Sequence, residues 1–319
     1  MANIYDIAAK AGVSTATVSR VLAGGKGVSE KLINRVMEVI ETEHYTPNPF
    51  ARGLGSGSMS MVGVLCTDVS DLHYARAVSE VERLLREHGM DSLLCCTGND
   101  LEGKKRGISL LMSKHVDGII LIGSIFSETD DNSHIESAAS TVPIANINGF
   151  LDIPNVYCAL CDEKGAIYEA VKKFASKGCK RFLYLYDAIT YSGKQKMDGI
   201  QEAIAETDST LTTLFVERSL ISARNATQRL LEEGQEFDAI LTSDDLLSVG
   251  VLHALNGKDI PILGFDASIL AQCTIPPIRS IDNRLADLCS IAVSSLLKAL
   301  AGEIPERKIV IPARFTSEI

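Results

Sequence analysis

The stretch NIYDIAAKAGVSTATVSRVL, residues 3–22, decides how the N-terminal part of this chain folds. Its first apolar residues recur at helical spacing, and Asn3 precedes them as an N-cap with Asp6 three residues on. Gly12 ends this helix, and Ser14 is placed to cap a second one. Val18 and its apolar neighbours turn the second helix back toward the first. Two short helices joined by a glycine-containing turn form a helix-turn-helix.

The second helix begins with side chains that are short or able to hydrogen-bond. In a helix-turn-helix this end enters the DNA major groove, so such residues suit base contacts. The residues that meet this demand are Thr15, Ala16, Thr17, Ser19 and Arg20. Ser29 is expected to cap a third helix that closes a small core. The alternative is a helical hairpin that serves packing alone.

Three segments of this region, YDIAAKAGVSTATVSRVL, VSEKLINRV and YTPNPFARGL, closely resemble one known family. They are similar to the DNA-binding segment of the lactose-repressor/galactose-repressor (LacI/GalR) family of bacterial transcription regulators. The resemblance covers nearly all of the first 54 residues and continues more weakly to the C-terminus. It implies a helix-turn-helix domain at residues 1–46, a hinge at 47–60 and a two-lobed core at 61–319.

The hinge reads PNPFARGLGSGSMS, in which Pro49 can start a short helix that runs to Leu54. So short a helix is unstable alone in water, so we expect it to order on DNA. In the resembled family this helix enters the minor groove and wedges a leucine between base pairs, and the matching residue is Leu54. Ala51 and Asn48 are expected to contact DNA beside it. Many members of the resembled family have basic residues after this leucine, whereas this chain has GSGSMS. The alternative to a hinge helix is therefore a plain flexible linker.

Charge is distributed unevenly along the chain. The net charge is −10 over 319 residues, yet residues 1–60 carry six basic and five acidic side chains and are slightly positive. A module of charge +1 attracts DNA weakly, so affinity has to come from two copies and from phosphate contacts. We expect those contacts from residues with hydroxyl or amide side chains, namely Tyr5, Ser14, Thr17, Ser19, Ser29 and Asn48. A homodimer is implied, and the absence of a leucine heptad tail favours a dimer over a tetramer.

The sequence predicts a cytoplasmic protein without a cofactor or metal. No apolar stretch follows the first residue, and no run approaches the length of a membrane span. The cysteines stand mostly in or beside apolar runs, which indicates reduced thiols used as small apolar residues. Cys158 and Cys161 form a lone CxxC without a second ligand pair at zinc spacing.

From residue 61 onward, strand and helix patterns alternate in two series. MVGVLCT, DSLLCC, DGIILIG and PIANI are typical of buried parallel strands, and NVYCAL opens a second series with RFLYLY, LTTLFV, FDAILT and IPILGF. Each series has the size of a doubly wound domain, so we predict an α/β core of two periplasmic-binding-protein-like lobes. The resemblance implies that lobe 1 spans about 61–159 and 284–302, and lobe 2 about 160–282 and 303–319.

Ligands of such sheets bind beyond the carboxyl ends of the strands, where this chain places polar residues without a packing role. Carboxylates and amides suit the hydroxyls of a sugar, and tyrosine offers a face to its apolar side. The alternative role of three of these aspartates is to cap a helix N-terminus instead of binding a ligand, and they are Asp162, Asp244 and Asp245. The expected effector-binding residues are Asp71, Tyr74, Asn148, Tyr191, Ser192, Lys196, Asp244 and Asp266.

The resemblance supports some of these positions and departs at others. SDDLLSVG is similar to a family segment that puts a ligand-binding side chain at Asp244, and GFD is the family's usual carboxylate site at Asp266. Lys196 stands where many relatives carry an arginine that grips the effector, so the fork of the guanidinium is lost. The aromatic side chain that many members offer near Leu220 is missing.

The sequence favours a repressor of carbohydrate-utilisation genes that responds to a small sugar. G-x-S-x-G, H-E-x-x-H and Walker A patterns are missing, and a helix-turn-helix has no use in a free-standing hydrolase. A two-lobed solute-binding protein for transport would need export. A nucleobase co-repressor is the remaining alternative to a sugar.

Overall fold

The computed structural model describes residues 2–22, 24, 27–45, 59–129 and 131–318. The chain divides into two compact units, Met1–Met61 with His115–Asp117 and Val62–Lys114 with Gly118–Ile319. The predicted combination of a small helical domain with a two-lobed α/β core is confirmed. The hinge residues Asn48, Ala51 and Leu54 lie outside the described residues. None of the described helices is both long and apolar enough to cross a membrane.

The N-terminal unit contains three helices, α1 (Ile4–Ala11), α2 (Thr15–Leu22) and α3 (Glu30–Thr42). The Asn3 side chain accepts hydrogen bonds from the Tyr5 and Asp6 amides, and Asp6 accepts the Asn3 amide in return, which completes a capping box. Gly12 ends α1 at φ +64°. The core that the three helices share consists of Ile7, Ala8, Ala11, Val18, Val21, Val36 and Ile40.

The two predicted caps that follow have different outcomes. The Ser14 hydroxyl accepts the Thr17 amide at 3.2 Å, as expected for a cap of α2. The expectation for Ser29 is wrong in one respect: it is the N-cap residue of α3, yet its hydroxyl makes no capping hydrogen bond within the described part of the chain. Its backbone carbonyl accepts the Ile33 amide at 3.0 Å instead.

The second unit contains two sheets of six strands, and each sheet defines one lobe. The first lobe has the strand order β11-β5-β4-β3-β1-β2. These strands are β1 (Met61–Cys66), β2 (Asp91–Cys96), β3 (Gly118–Ile122), β4 (Ile144–Ile147), β5 (Val156–Asp162) and β11 (Lys308–Pro312). Its helices are α4 (Leu72–Glu87), α5 (Leu101–Ser113), α6 (Ser133–Ala139) and α12 (Leu285–Leu300). Residues of α12 pack against β3, β4 and β5 and against α4 in the apolar core.

The second lobe has the order β12-β10-β9-β8-β6-β7. Its strands are β6 (Arg181–Tyr186), β7 (Thr210–Phe215), β8 (Ala239–Thr242), β9 (Ile262–Phe265), β10 (Arg279–Asp282) and β12 (Arg314–Phe315). Its helices are α7 (Glu163–Ser176), α8 (Tyr191–Ala205), α9 (Leu220–Glu232), α10 (Asp245–Leu255) and α11 (Ile269–Gln272). The pair β10 and β12 is antiparallel, whereas β6 to β10 pair in parallel.

One segment belongs to a different lobe from the one expected, and another belongs to a different strand series. NVYCAL lies in the first lobe, as the expected bounds 61–159 imply, but it does not open the second series, because β5 pairs in parallel with β4 of the first sheet. The residues after 303 do not all return to the second lobe, because β11 pairs with β5, with Ile309 beside Ala159. The chain therefore crosses between lobes after β5, after β10 and after β11. The residues that pair β11 with β5 are about 150 positions apart, so no local pattern could have predicted that pairing.

Helices α7 and α8 approach each other closely at Gly199. A Cβ atom at this position would lie 2.4 Å from the Lys164 carbonyl oxygen and 2.6 Å from Ile167. The backbone of α7 cannot give way cheaply, so glycine is required by space here.

We therefore expect Gly199→Ala to destabilise the second lobe by about 1–3 kcal/mol through overpacking. An alanine in an open helical position would instead stabilise by roughly 0.5–1 kcal/mol, so the sign of the change is diagnostic. Denaturant unfolding measures it, with Gln201→Ala on the exposed face of α8 as the control. A Gly199→Ala variant as stable as the parent protein would show that α7 and α8 pack less closely at this position than the structure indicates.

Candidate functional site

The predicted DNA-contacting residues of the helical unit lie on its surface. Ala16, Ser19 and Arg20 are exposed on α2, whereas Thr15 and Thr17 are half-buried. The remaining exposed positions are Tyr5, Ser14 and Ser29. The Ser14 and Thr17 hydroxyls lie 2.9 Å apart, so each already has one partner.

A cavity of about 680 Å³ lies between the two lobes of the core, at the carboxyl ends of their strands. Seven of the eight expected effector-binding residues line it: Asp71, Tyr74, Asn148, Ser192, Lys196, Asp244 and Asp266. Tyr191 is not among the described residues of the wall. Its ring lies 5.9 Å from that of Phe150 of the first lobe.

Arg218 stands between carboxylates of both lobes, and it was not among the residues expected at the site from the sequence. Its guanidinium contacts Asp71 of the first lobe, and its Nε lies 2.8 Å from Asp244 and 3.4 Å from Asp187 of the second. The only signal in the sequence was its place just after β7, at a strand end. Arg218 therefore links the lobes across the cavity.

The same carboxylates also cap helices, so capping and charge pairing do not exclude each other. Asp71 accepts the His73 amide at the start of α4, and Asp244 accepts the Leu247 amide at the start of α10, each at 2.8 Å with its other oxygen atom turned to Arg218. Burial, followed by the charge of Asp244, raises the pKa of Asp187. Asp187 accepts the Ser243 hydroxyl at 2.6 Å.

Lys196 lies in the wall, but its charge is used inside the protein. Its Nζ donates to the Ser243 carbonyl at 3.0 Å, lies 3.6 Å from Glu163 and sits 4.0 Å from the centre of the Phe265 ring. Burial lowers the pKa of Lys196, but Glu163 and the other carboxylates outweigh this effect and hold it above its ordinary value. Asn148 donates to Glu163 at 3.0 Å from the first lobe.

Asp266 follows β9 at φ +92°, a backbone conformation that non-glycine residues rarely adopt. Its carboxylate accepts the Asn283 amide group at 2.8 Å and lies 3.7 Å from His73 Nδ1 of the first lobe. It caps no helix in the described structure, as the sequence predicted. Strained backbone at the edge of a cavity is typical of functional positions.

Phe215 supplies an aromatic face at the cavity wall. Its side chain is 58% exposed, and its ring meets Tyr186 edge-on at 5.5 Å. It stands five residues before Leu220, near which the sequence lacks the aromatic side chain that the resemblance implies. A further contact between the lobes lies nearby, where the Ser124 hydroxyl donates to Thr190 at 2.8 Å.

Asp245 lies behind the site and does not act as the cap that the sequence allowed. It accepts the Ser268 amide at 2.6 Å and the Ser280 hydroxyl at 2.7 Å, which ties α10 to the segments around β9 and β10. Burial, together with the charge of Asp266, raises the pKa of Asp245 to about 7. Two of the other expected caps are correct: Asp162 accepts the Gly165 amide and Asp244 that of Leu247.

The cysteines are free thiols, but two of them are not apolar core residues. Cys96 and Cys273 are exposed, whereas Cys66 and Cys289 are among the buried ones, and burial raises the pKa of these two thiols to about 12. Among the described residues, no group of three or more histidine, cysteine or acidic side chains is arranged to hold a metal ion.

Two family models match the chain. The model of bacterial regulatory proteins of the lacI family matches residues 3–48. The model of periplasmic binding proteins and the sugar binding domain of the LacI family matches residues 59–302. The two matches coincide with the helical unit and most of the two-lobed core.

Curated and solved relatives extend over the whole chain. An HTH-type transcriptional regulator of Lachnoclostridium phytofermentans is 42% identical and covers 97% of this chain and 96% of its own length. The lac repressor dimer bound to operator and the anti-inducer ONPF has a TM-score of 0.88 at 21% identity, over 99% of this chain and 98% of its own. A complex of the transcriptional regulator CelR with cellobiose has a TM-score of 0.71 at 22% identity, over 99% of both chains. At these identities the two structures establish the fold.

The pKa of Asp245 leads to a prediction about pH. Because the carboxyl group holds its proton more tightly when folded, its contribution to stability is complete below about pH 4 and is lost as the pH rises through about 7. We expect Asp245→Asn to remove about 2–4 kcal/mol of this pH dependence. Unfolding midpoints of both chains at pH 5 and pH 8 measure it. If the unfolding midpoint changes equally between pH 5 and pH 8 in the parent protein and in the Asp245→Asn variant, the pKa of Asp245 is not raised by folding.

Proposed function

The chain belongs to the lacI family of bacterial regulatory proteins, and on that premise we propose a homodimeric repressor whose operator affinity is set by a sugar in the cleft. The single observation that carries the sugar site is the cavity itself. It lies at the facing strand ends of both lobes and gathers seven residues chosen from the sequence alone. As a regulator that acts on bacterial DNA, the protein works in the cytoplasm.

Each helical unit reads one half of a pseudo-palindromic operator. Thr15 and Ala16 at the start of α2 contact base edges, and the surrounding hydroxyl side chains position the phosphates. Two copies are needed because the module of residues 1–60 carries a charge of only about +1. The operator-bound lac repressor dimer, which has the same fold, supports this arrangement.

The cleft suits a polyhydroxylated ligand. Carboxylate and amide oxygens in its wall accept hydrogen bonds from sugar hydroxyls, and Phe215 offers a face to the apolar side of a sugar ring. The CelR complex with cellobiose and the sugar binding domain named in the family model support a sugar. A nucleobase has two flat faces that favour aromatic partners, and Phe215 is the single exposed aromatic side chain among the described wall residues.

Regulation follows from contacts that join the lobes. A ligand that prefers one arrangement of the lobes shifts the protein toward it. If that arrangement binds operator less well, linkage requires operator affinity to fall by the same factor, typically about 5–150-fold for a coupling of 1–3 kcal/mol.

We expect Ala16→Arg to change which operator sequence is preferred, because a guanidinium reads guanine where a methyl group suited thymine. Selection from random duplexes at moderate salt measures the preference. Ala9→Arg on the exposed face of α1 is the matched control: it adds the same charge and should strengthen binding without changing preference. An unchanged preference in the Ala16 variant would remove this residue from the base-reading surface.

We expect Asp266→Ala to abolish the response to sugar and to leave operator binding intact, since the cavity loses a hydroxyl partner. The measurement is operator affinity with and without ligands found in a thermal-shift screen of mono- and disaccharides. Asp259→Ala, an exposed carboxylate of the second lobe, is the control and should respond normally. Loss of both activities in the Asp266 variant would indicate a folding role instead.

A further inference from the structure

The cleft has a large excess of negative charge. Among the residues that the structure describes, seven carboxylates line it against two permanent cations, a formal excess of five negative charges with His73 neutral. The carboxylates are Asp68, Asp71, Glu163, Asp187, Glu217, Asp244 and Asp266, and the cations are Lys196 and Arg218. Walls of one charge sign concentrate the electric field in a cleft and raise the local concentration of the opposite charge.

The two cations differ in how available they are. The Lys196 side chain is only 8% exposed, and Glu163, the Ser243 carbonyl and the Phe265 ring occupy its charge. Arg218 is 37% exposed and comes from the loop after β7. A ligand can therefore replace Arg218 much more easily than it can replace Lys196.

Arg218 also marks the place where a cation binds. Asp71 reaches it from the first lobe, and Asp187 and Asp244 reach it from the second, with all three carboxylates mostly buried. This place opens directly into the cavity. An ammonium group has three N–H donors, one for each of the three carboxylates.

A ligand with an acid group would meet repulsion in this cleft. Phosphate or carboxylate groups on a sugar would add negative charge beside Asp187, whose pKa is already raised by burial and then by the charge of Asp244. An uncharged sugar would form hydrogen bonds with the wall, but it carries no charge with which to compete with Arg218 for its carboxylate partners.

We propose, on the basis of the proposed function, that the effector is a polyhydroxylated compound with an ammonium group and no acid group, such as an amino sugar. The ammonium group takes the place of the Arg218 guanidinium among Asp71, Asp187 and Asp244. The hydroxyl groups face Asp266 and the rest of the wall. The positive charge of the ligand thereby replaces that of Arg218 at the centre of the cleft. The ligand then connects carboxylates of the two lobes, as Arg218 does in the structure.

The first test compares congeners that differ in charge, on the full-length protein. Glucosamine and galactosamine are titrated by calorimetry beside their N-acetylated forms, the parent hexoses and the hexose 6-phosphates. We expect each amine that binds to do so about tenfold more tightly than its acetamide, a difference that shrinks in high salt. The 6-phosphates should bind most weakly. Equal binding of amine and acetamide, or tighter binding of a phosphate, would overturn the proposal.

The second test does not depend on the identity of the sugar. Arg218→Ala leaves the three carboxylates without their cation, so methylguanidinium at about 10 mM should raise the unfolding temperature of this variant. Uncharged N-methylurea should not. The matched control is Arg181→Ala, which removes an arginine that pairs with Glu236 and Asp238 on the surface. No specific gain for the Arg218 variant would show that the carboxylates do not bind an exchangeable cation.

Measured beside operator affinity in the presence of the same sugars, the two tests distinguish a failure of this proposal from a failure of the proposed function. If a neutral hexose changes operator affinity as much as the amino sugars do, regulation by a sugar is supported and the proposed ammonium group of the effector is wrong. If methylguanidinium rescues the Arg218 variant while none of the sugars changes operator affinity, the cation site stands and sugar sensing fails.

Discussion

The guanidinium of Arg218 sets the charge balance on which the cleft depends. Without it, Asp71 would face Asp187 and Asp244 across the cavity with like charges, and the lobes would repel each other at this point. Because Asp71 and Asp244 also begin α4 and α10, the groups that fix these helices are the groups that fix the spacing of the lobes. One charge thus couples local helix geometry to the arrangement of the two domains.

The features that the sequence predicted correctly are those with a local cause. The capping box of Asn3 and Asp6 and the left-handed Gly12 depend on neighbouring residues alone. The wall of the cavity was predictable for a related reason, since parallel strands place all their carboxyl ends at one edge. A polar residue directly after such a strand, as Asp266 is, can therefore be assigned to that edge before the tertiary structure is known.

The features that the sequence did not predict depend on distant partners. Membership of β11 in the first sheet is decided by its pairing with β5, across about 150 residues. Arg218 looks like an ordinary surface arginine until the fold brings Asp71 to it. Tyr191 follows a strand end as the other candidates do, but it lies outside the described wall because its ring rests near Phe150.

Lys196 shows why residue type at a matching position does not settle a role. The sequence has a lysine where the resemblance implies an effector-binding arginine, which suggested that the lysine contacts the ligand in a different way. In the fold its ammonium group contacts Glu163, a carbonyl oxygen and an aromatic ring. It therefore neutralises a buried carboxylate and stabilises the wall of the cavity. A buried charge that lost this partner would be strongly destabilising, whereas Arg218 can turn toward solvent. The exposed cation, and not the buried one, is therefore the group through which a ligand can change how the lobes are joined.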